Sequence, residues 1–382
     1  MKASITLLLE FIALIFISSC SPKKAGELPE LSYKLTHAFR LVVEDHSLRT
    51  WSLQTKVIED EEFLFFGDVQ SKDNIKVYNM DTQKWGDPIK FEKEGPDGIG
   101  KMNGFYIHSL DSIFIVNSFG WQVHLMNGKQ KLTTYKTKEG IPALNQITPF
   151  TTNNALKGII NGKLIFYGFP EVPYLELDYH NKVKVAQSID VKTGENKLGI
   201  GYPTEYHNHF WPGVIIIMNE QVVSKDLIYM SFPLSDSVYV YNSSFIGLKA
   251  LNVSSVNKMK TFNFDGKPMD QINGDPAYRE IVAKGAYGDL LIDEKRDFLY
   301  RTILYSESDE SSFSSVSEYR KSGEVNLLIY DLAHEKLLGE IDFEKEELDR
   351  APMMFIGEKG LYLSKMSQEE EAVDFYLLSW ED

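Results

Sequence analysis

The sequence predicts an all-β ring of six four-stranded antiparallel blades, a β-propeller, and three observations carry the prediction. One order of elements recurs along the 382 residues: an apolar strand after a turn, a second strand, then a polar turn and an outer strand. The apolar strand has six copies, at Phe63–Phe66, Ile113–Val116, Leu164–Tyr167, Leu227–Met230, Phe298–Arg301 and Leu361–Ser364. The 23 Phe and 20 Tyr suit pleated surfaces, and no helical stretch of useful length is visible. A four-stranded unit cannot bury both of its faces alone, whereas copies stacked in a ring bury them against one another.

Glu94–Thr137 shows one unit most plainly. A turn-rich run, Glu94–Gly100, leads into Gly104–His108, Ser112–Val116, Gln122–Leu125 and Lys131–Tyr135, four β-rich runs punctuated by Gly, Asn and Asp. Successive apolar anchors begin 50, 51, 63, 71 and 63 residues apart. The first two spacings are near the usual blade period of about 40–50 residues. The longer ones need insertions, and Ser306–Gly323 and Asn257–Tyr287 supply them as polar loops. Leu31–Asp45 reads as strand, and pairing it with the last blade would close the ring. A seventh blade hidden in residues 31–60 is the alternative count. A sandwich or jelly roll is the alternative fold, but neither explains six copies of one order.

The amino terminus reads as an address. A charged start, Met1-Lys2, precedes a mostly apolar stretch from Ile5 to Ile17, interrupted by Glu10. That is short for a membrane span and suits a signal-peptide core, residues 1–19. Ile17-Ser18-Ser19-Cys20 resembles a bacterial lipobox, whose cysteine is acylated, and Cys20 is the chain's single cysteine. Several acyl chains give stable anchoring, at roughly 0.8 kcal/mol per buried CH₂. Residues 20–30 then form a lipidated, flexible tether, and residues 31–382 one propeller domain. The expected location is the bacterial cell envelope, lipid-anchored at the outer membrane on its periplasmic or surface side.

The formal net charge is −15, and no basic block occurs, so nucleic acid is not an expected partner. The sequence has no Gly-x-Ser-x-Gly elbow, no His-Glu-x-x-His and no phosphate-cradling glycine loop.

Signal, tether and six blades with Glu94-Gly95-Pro96 after the first resemble the six-bladed, TolB-like propeller lipoproteins of Bacteroidota. Many of these are catalogued only as a domain of unknown function. The resemblance covers residues 28–382. Its Gly-x-Gly-Pro-Gly-Glu-type run corresponds to Lys93–Gly98, which keeps the Gly-Pro and departs at Asp97 and Gly98. The resemblance implies fold and address, and it brings no agreed reaction or catalytic residue.

Candidate ligand contacts fall on the connectors that crown one face of the ring. Tyr202–Gly213 carries Tyr206, His207, His209 and Trp211; on extended backbone the two histidines would share a side. They are a plausible start for a metal site, with Glu205 or His180 as third ligand. The plainer reading packs the aromatics into the channel mouth. Asn273–Glu280 offers Tyr278 and Arg279, a fork suited to a carboxylate. Asn145 and Gln146 occupy the equivalent connector before the third blade. Glu171–His180 reads as a solvated hairpin. The first functional reading is a monomeric, non-enzymatic scaffold that needs no cofactor and binds a protein or glycan at these loops. The alternative is a metal-assisted, lactonase- or lyase-like hydrolase holding a divalent ion in the central channel, a reading that rests on fold analogy.

Overall fold

A computed structural model of the chain describes residues 28–42, 53–67, 73–142, 146–149, 156–171, 178–212, 219–255, 280–281, 283–305, 324–344, 347–348, 352–366 and 372–381. Each apolar anchor is the second strand of an antiparallel sheet, and there are six such sheets. The first strands, which lie innermost, are Leu53–Ile58, Gly104–Ser109, Leu156–Ile160, Glu220–Ser224, Ala286–Asp293 and Met354–Gly357. The innermost strands pack one against the next around the ring. Side chains tie neighbours together. Gln54 Nε2 donates to Ile107 O at 2.8 Å, its Oε1 accepts the Ile107 N–H at 2.7 Å, and Thr55 Oγ1 donates to Ile356 O at 2.6 Å.

The anchors are continuous apolar runs because each is covered on both faces. Ile113 and Ile115 pack toward the first blade with Phe65 and Phe105, while Phe114 and Val116 pack toward the third with Leu164 and Phe166. The same alternation runs round the ring, so a hydrophobic cluster fills each of the six junctions between blades.

Ser32–Val42 closes the ring as the outer strand of the sixth blade, paired with Ala372–Glu381 from Ser32↔Glu381 to Val42↔Ala372. Residues 32–42 and 53–58 therefore serve the sixth and first blades, not a seventh. Arg40 donates to both oxygens of Asp374, at 2.8 and 2.9 Å, and His37 Nε2 lies 3.1 Å from the same carboxylate. The Arg40 guanidinium holds the Asp374 carboxyl below its usual range. Phe39 stacks on Phe375 at 5.1 Å and on Tyr78 of the first blade at 5.4 Å.

The run Lys93–Gly98 is a structural turn. Gly98 N–H donates to Gly95 O at 3.0 Å, and Ile99 N–H to Glu92 O at 2.9 Å, which drives Ile99 into the junction of the first two blades. Gly95 has φ +87°, and a Cβ on Gly98 would meet Glu94 backbone at 2.7 Å. The Glu171–His180 segment departs from its sequence reading. Residues 172–177 lie outside the described set, but Tyr179–Lys182 is a short helix that buries Tyr179 and His180. Most of the insertions Ser306–Gly323 and Asn257–Tyr287 also lie outside it, and Tyr287 belongs to the fifth innermost strand.

Phe39 is 3% exposed and bridges two blades. Phe39→Ala is expected to cost about 3–5 kcal/mol, by urea denaturation. Val42→Ala, at a 52% exposed site on the same strand, is expected to stay within about 0.5 kcal/mol.

Candidate functional site

Two regions are candidates: the channel inside the ring and the crown above the third and fourth blades. All six innermost strands line the channel, which holds a cavity of about 670 Å³. Apolar wall comes from residues such as Phe105, Ile159, Val223 and Phe355. Its polar groups include Lys56, half-buried on the first innermost strand, whose ammonium burial pushes below its ordinary pKa. Tyr106 is held above the usual phenol range by burial, and its oxygen accepts the Ile159 N–H. One mouth, at the hairpin turns, is ringed by Glu62, Asp226, Glu294 and Glu358. Burial raises the Glu62 carboxyl above its usual range.

The crown is built on Tyr202–Pro212. A 3₁₀ turn, Thr204–Tyr206, drives Tyr206 fully inside, where its Oη accepts the Leu234 N–H at 2.8 Å. Trp211 Nε1 donates to Tyr206 O at 3.0 Å. Asn219 Nδ2 donates to Tyr202 Oη at 2.9 Å, and His207 Nε2 lies 3.0 Å from Tyr202 O. His209 keeps a partly open ring, edge-on to Trp211 at 6.0 Å. Glu205 turns away from the histidines and accepts hydrogen bonds from Ser235 and, at 3.0 Å, Tyr239.

His180 is 1% exposed and wedged among tyrosines, with ring centroids 4.5 Å from Tyr202 and 4.8 Å from Tyr179. Neither ring nitrogen has a hydrogen-bond partner, so nothing compensates a charge there. Burial, with His207 nearby, pushes its pKa down to about 3. Tyr179, Tyr202 and Tyr206 are pushed up by the same burial. The cluster is therefore neutral across the physiological range, and an imidazole this weakly basic is a poor general base. Arg301, from the fifth blade, braces the floor. It is fully buried, with Nε on Ser231 Oγ at 3.0 Å, Nη1 on Val253 O at 2.8 Å and Nη2 on Ser235 O at 2.6 Å. The guanidinium lies 3.4 Å over the Tyr287 ring, and burial lowers its pKa to about 10.

Tyr206, His207, His209 and Trp211 are thus brought together, two as buried aromatics and two as half-buried imidazoles. Gln146 stands apart, over the second and third blades, donating to Ile141 O at 3.2 Å. Asn145, Tyr278, Arg279 and Cys20 lie outside the described residues. Among the described residues, no three His, Cys, Asp or Glu side chains are grouped to hold a metal ion.

Residues 36–342 match the family defined by a domain of unknown function, DUF4221. The chain belongs to the DUF4221 family. The fold resembles that of a DUF4221 member from Bacteroides vulgatus solved by crystallography, with TM-score 0.72, 16% identity and coverage of 93% of this chain and 100% of that one. A Bacteroides fragilis protein described, by name alone, as exported has TM-score 0.57 and 12% identity, over 92% of this chain and 96% of that one. A streptogramin B lyase overlays 91% of this chain and 98% of its own at TM-score 0.40 and 10% identity, a likeness too distant to bear on activity. No protein of curated function matches the sequence.

In this DUF4221 chain the channel residues Lys56, Glu62 and Tyr106 escaped sequence reasoning. The innermost strands are short and mixed in composition, and only pairing with the anchors reveals them. Position relative to each anchor was the usable signal: the strand just before it faces the axis.

The unfolded chain protonates His180 near 6.5, while the folded chain resists until about 3. His124, 2% exposed, is likewise pushed down to about 4 by burial, then by Lys131. Stability is complete above the unfolded pKa and falls as pH drops below about 6.5, because the unfolded state gains protons the folded state refuses. Each histidine is expected to remove about 2 kcal/mol between pH 7.5 and pH 5. Urea melts of wild type and His180→Phe at the two pH values test this: the variant is expected to lose about 2 kcal/mol less, and equal losses would discredit the assignment.

Proposed function

We propose that this chain is a non-enzymatic binding scaffold of the bacterial cell envelope, anchored through acylated Cys20. Its ligand, a small molecule or a protein or glycan segment, is taken at the channel and the crown loops around His207, His209, Tyr278 and Arg279. The observation that carries the reading is the cavity of about 670 Å³ to which every blade contributes its innermost strand. That volume lies within the range of ligand sites, and its wall combines apolar surface with a few placed polar groups on rigid strands. The hydrolase alternative requires three oxygen or nitrogen ligands meeting from different blades. Among the described residues no three His, Cys, Asp or Glu side chains are so grouped; of the two residues considered as third ligand to the crown histidines, Glu205 is engaged by Ser235 and Tyr239 and His180 is buried. The anchor rests on the Ile17–Cys20 pattern and the polar segment that follows.

Metal analysis by mass spectrometry of the purified protein, paired with melts before and after chelation, separates scaffold from hydrolase. The expected result is no stoichiometric metal and an unchanged melt. One divalent ion per chain with a melt that falls on chelation would favour the hydrolase. For the anchor, labelled palmitate is expected in the wild-type chain and in the membrane fraction, and Cys20→Ala is expected to be unlabelled and soluble. A membrane-bound, unlabelled variant would refute acylation as the anchor.

A further inference from the structure

Charged side chains along the channel fall into two sets. Those at the hairpin mouth are largely engaged with one another. Lys225 pairs with Asp297, Lys295 with Glu358 at 2.9 Å, and Asp293 with Arg296 at 2.7 Å. Glu62 Oε1 accepts the Glu358 N–H at 2.7 Å, and Glu294 accepts the Lys225 N–H at 3.2 Å. Asp226 completes a rim with an excess of acid.

Lys56 stands apart from this set. It is the fourth residue of the six-residue strand Leu53–Ile58, above the exposed Glu59-Asp60 turn. No described carboxylate comes within ion-pair distance of it. Burial alone lowers its pKa, with no acidic group offsetting the loss of hydration. Its strand neighbours have spent their polar groups, Gln54 on Ile107 and Thr55 on Ile356. Tyr106, on the next innermost strand, accepts the Ile159 N–H and keeps its own proton to donate. The cavity thus offers two donors, one of them cationic, against apolar wall from Phe105, Ile159, Val223 and Phe355.

An ammonium held partly out of water without a counter-ion is costly, and an anion that joins it offsets that cost in a medium where charge pairing is strong. The excess of acid at the hairpin mouth disfavours approach of such an anion from that side. We propose that the channel binds a small amphipathic organic anion, its carboxylate- or sulfonate-type head on the Lys56 ammonium and its apolar body against the innermost strands. This rests on the reading of the channel as a ligand site.

The test uses the full chain and two dyes of nearly the same shape: 1-anilinonaphthalene-8-sulfonate, an anion, and N-phenyl-1-naphthylamine, its uncharged counterpart. Wild type is expected to bind both with a rise in fluorescence, and the anionic dye is expected to protect Lys56 from acetylation, read by mass spectrometry. Lys56→Met keeps the aliphatic stem and removes the charge. It is expected to weaken the anionic dye at least tenfold and leave the neutral one unchanged, with a melt equal to or above wild type; Lys56→Gln serves if the first variant misfolds. Equal binding of the anionic dye by variant and wild type, or binding without protection of Lys56, overturns the inference while leaving the channel as a ligand site. Failure of wild type to bind either dye removes both.

Discussion

The ring depends on one long strand pairing. Ser32–Val42 comes from the start of the described chain and Ala372–Glu381 from its end, and the two run side by side along their whole length. Without that pairing the sixth blade would have three strands, a bare edge and an uncovered junction with the first. Bare edges invite wrong partners, and closure removes the largest of them. Side chains reinforce it on both faces. Arg40 and His37 converge on Asp374, and Phe39 carries the contact across to Tyr78. The closing strand therefore also fills the last of the six clusters between blades.

Closure has a consequence for the centre. Once each anchor is buried on both faces, the innermost strands have neighbours on either side and face the axis only with what those neighbours leave uncovered. Gln54 and Thr55 show the pattern: both amide ends of the one and the hydroxyl of the other are committed to adjoining blades. The channel is lined by what remains, and its chemistry is set by few residues. A substitution at an innermost strand changes either ring geometry or channel chemistry according to which side of that division it falls on.

The anchors were legible in the sequence because double burial writes itself as uninterrupted apolar runs such as Ile113–Val116, and turn residues mark their starts. Ring closure was legible because a lone strand before the first anchor has one useful destination. The buried state of His180 was not, since four residues, Tyr179–Lys182, make too short a helix to impose a period, and the tyrosines that enclose it come from Tyr202 and Tyr206 more than twenty residues on. Arg301 was not legible as buried either. It ends an anchor as an apparent polar terminus, yet it is fully buried because three carbonyls and a hydroxyl of the fourth blade and its connectors converge on it. Local pattern records which faces are covered; it does not record which distant backbone supplies acceptors.

Crown and channel are built by different means. At the crown, polar side chains are enclosed in neutral form: His180 with a depressed pKa, the tyrosines with raised ones, and Tyr206 locked by the Leu234 and Trp211 contacts. Of the crown loop, His207 and His209 stay partly open while Tyr206 and Trp211 are packed beneath them. In the channel the space already exists and a charge is already in place. The aromatic loop that stands out in the sequence thus braces the rim, while the plainer strands beneath it line the open space and carry the half-buried Lys56.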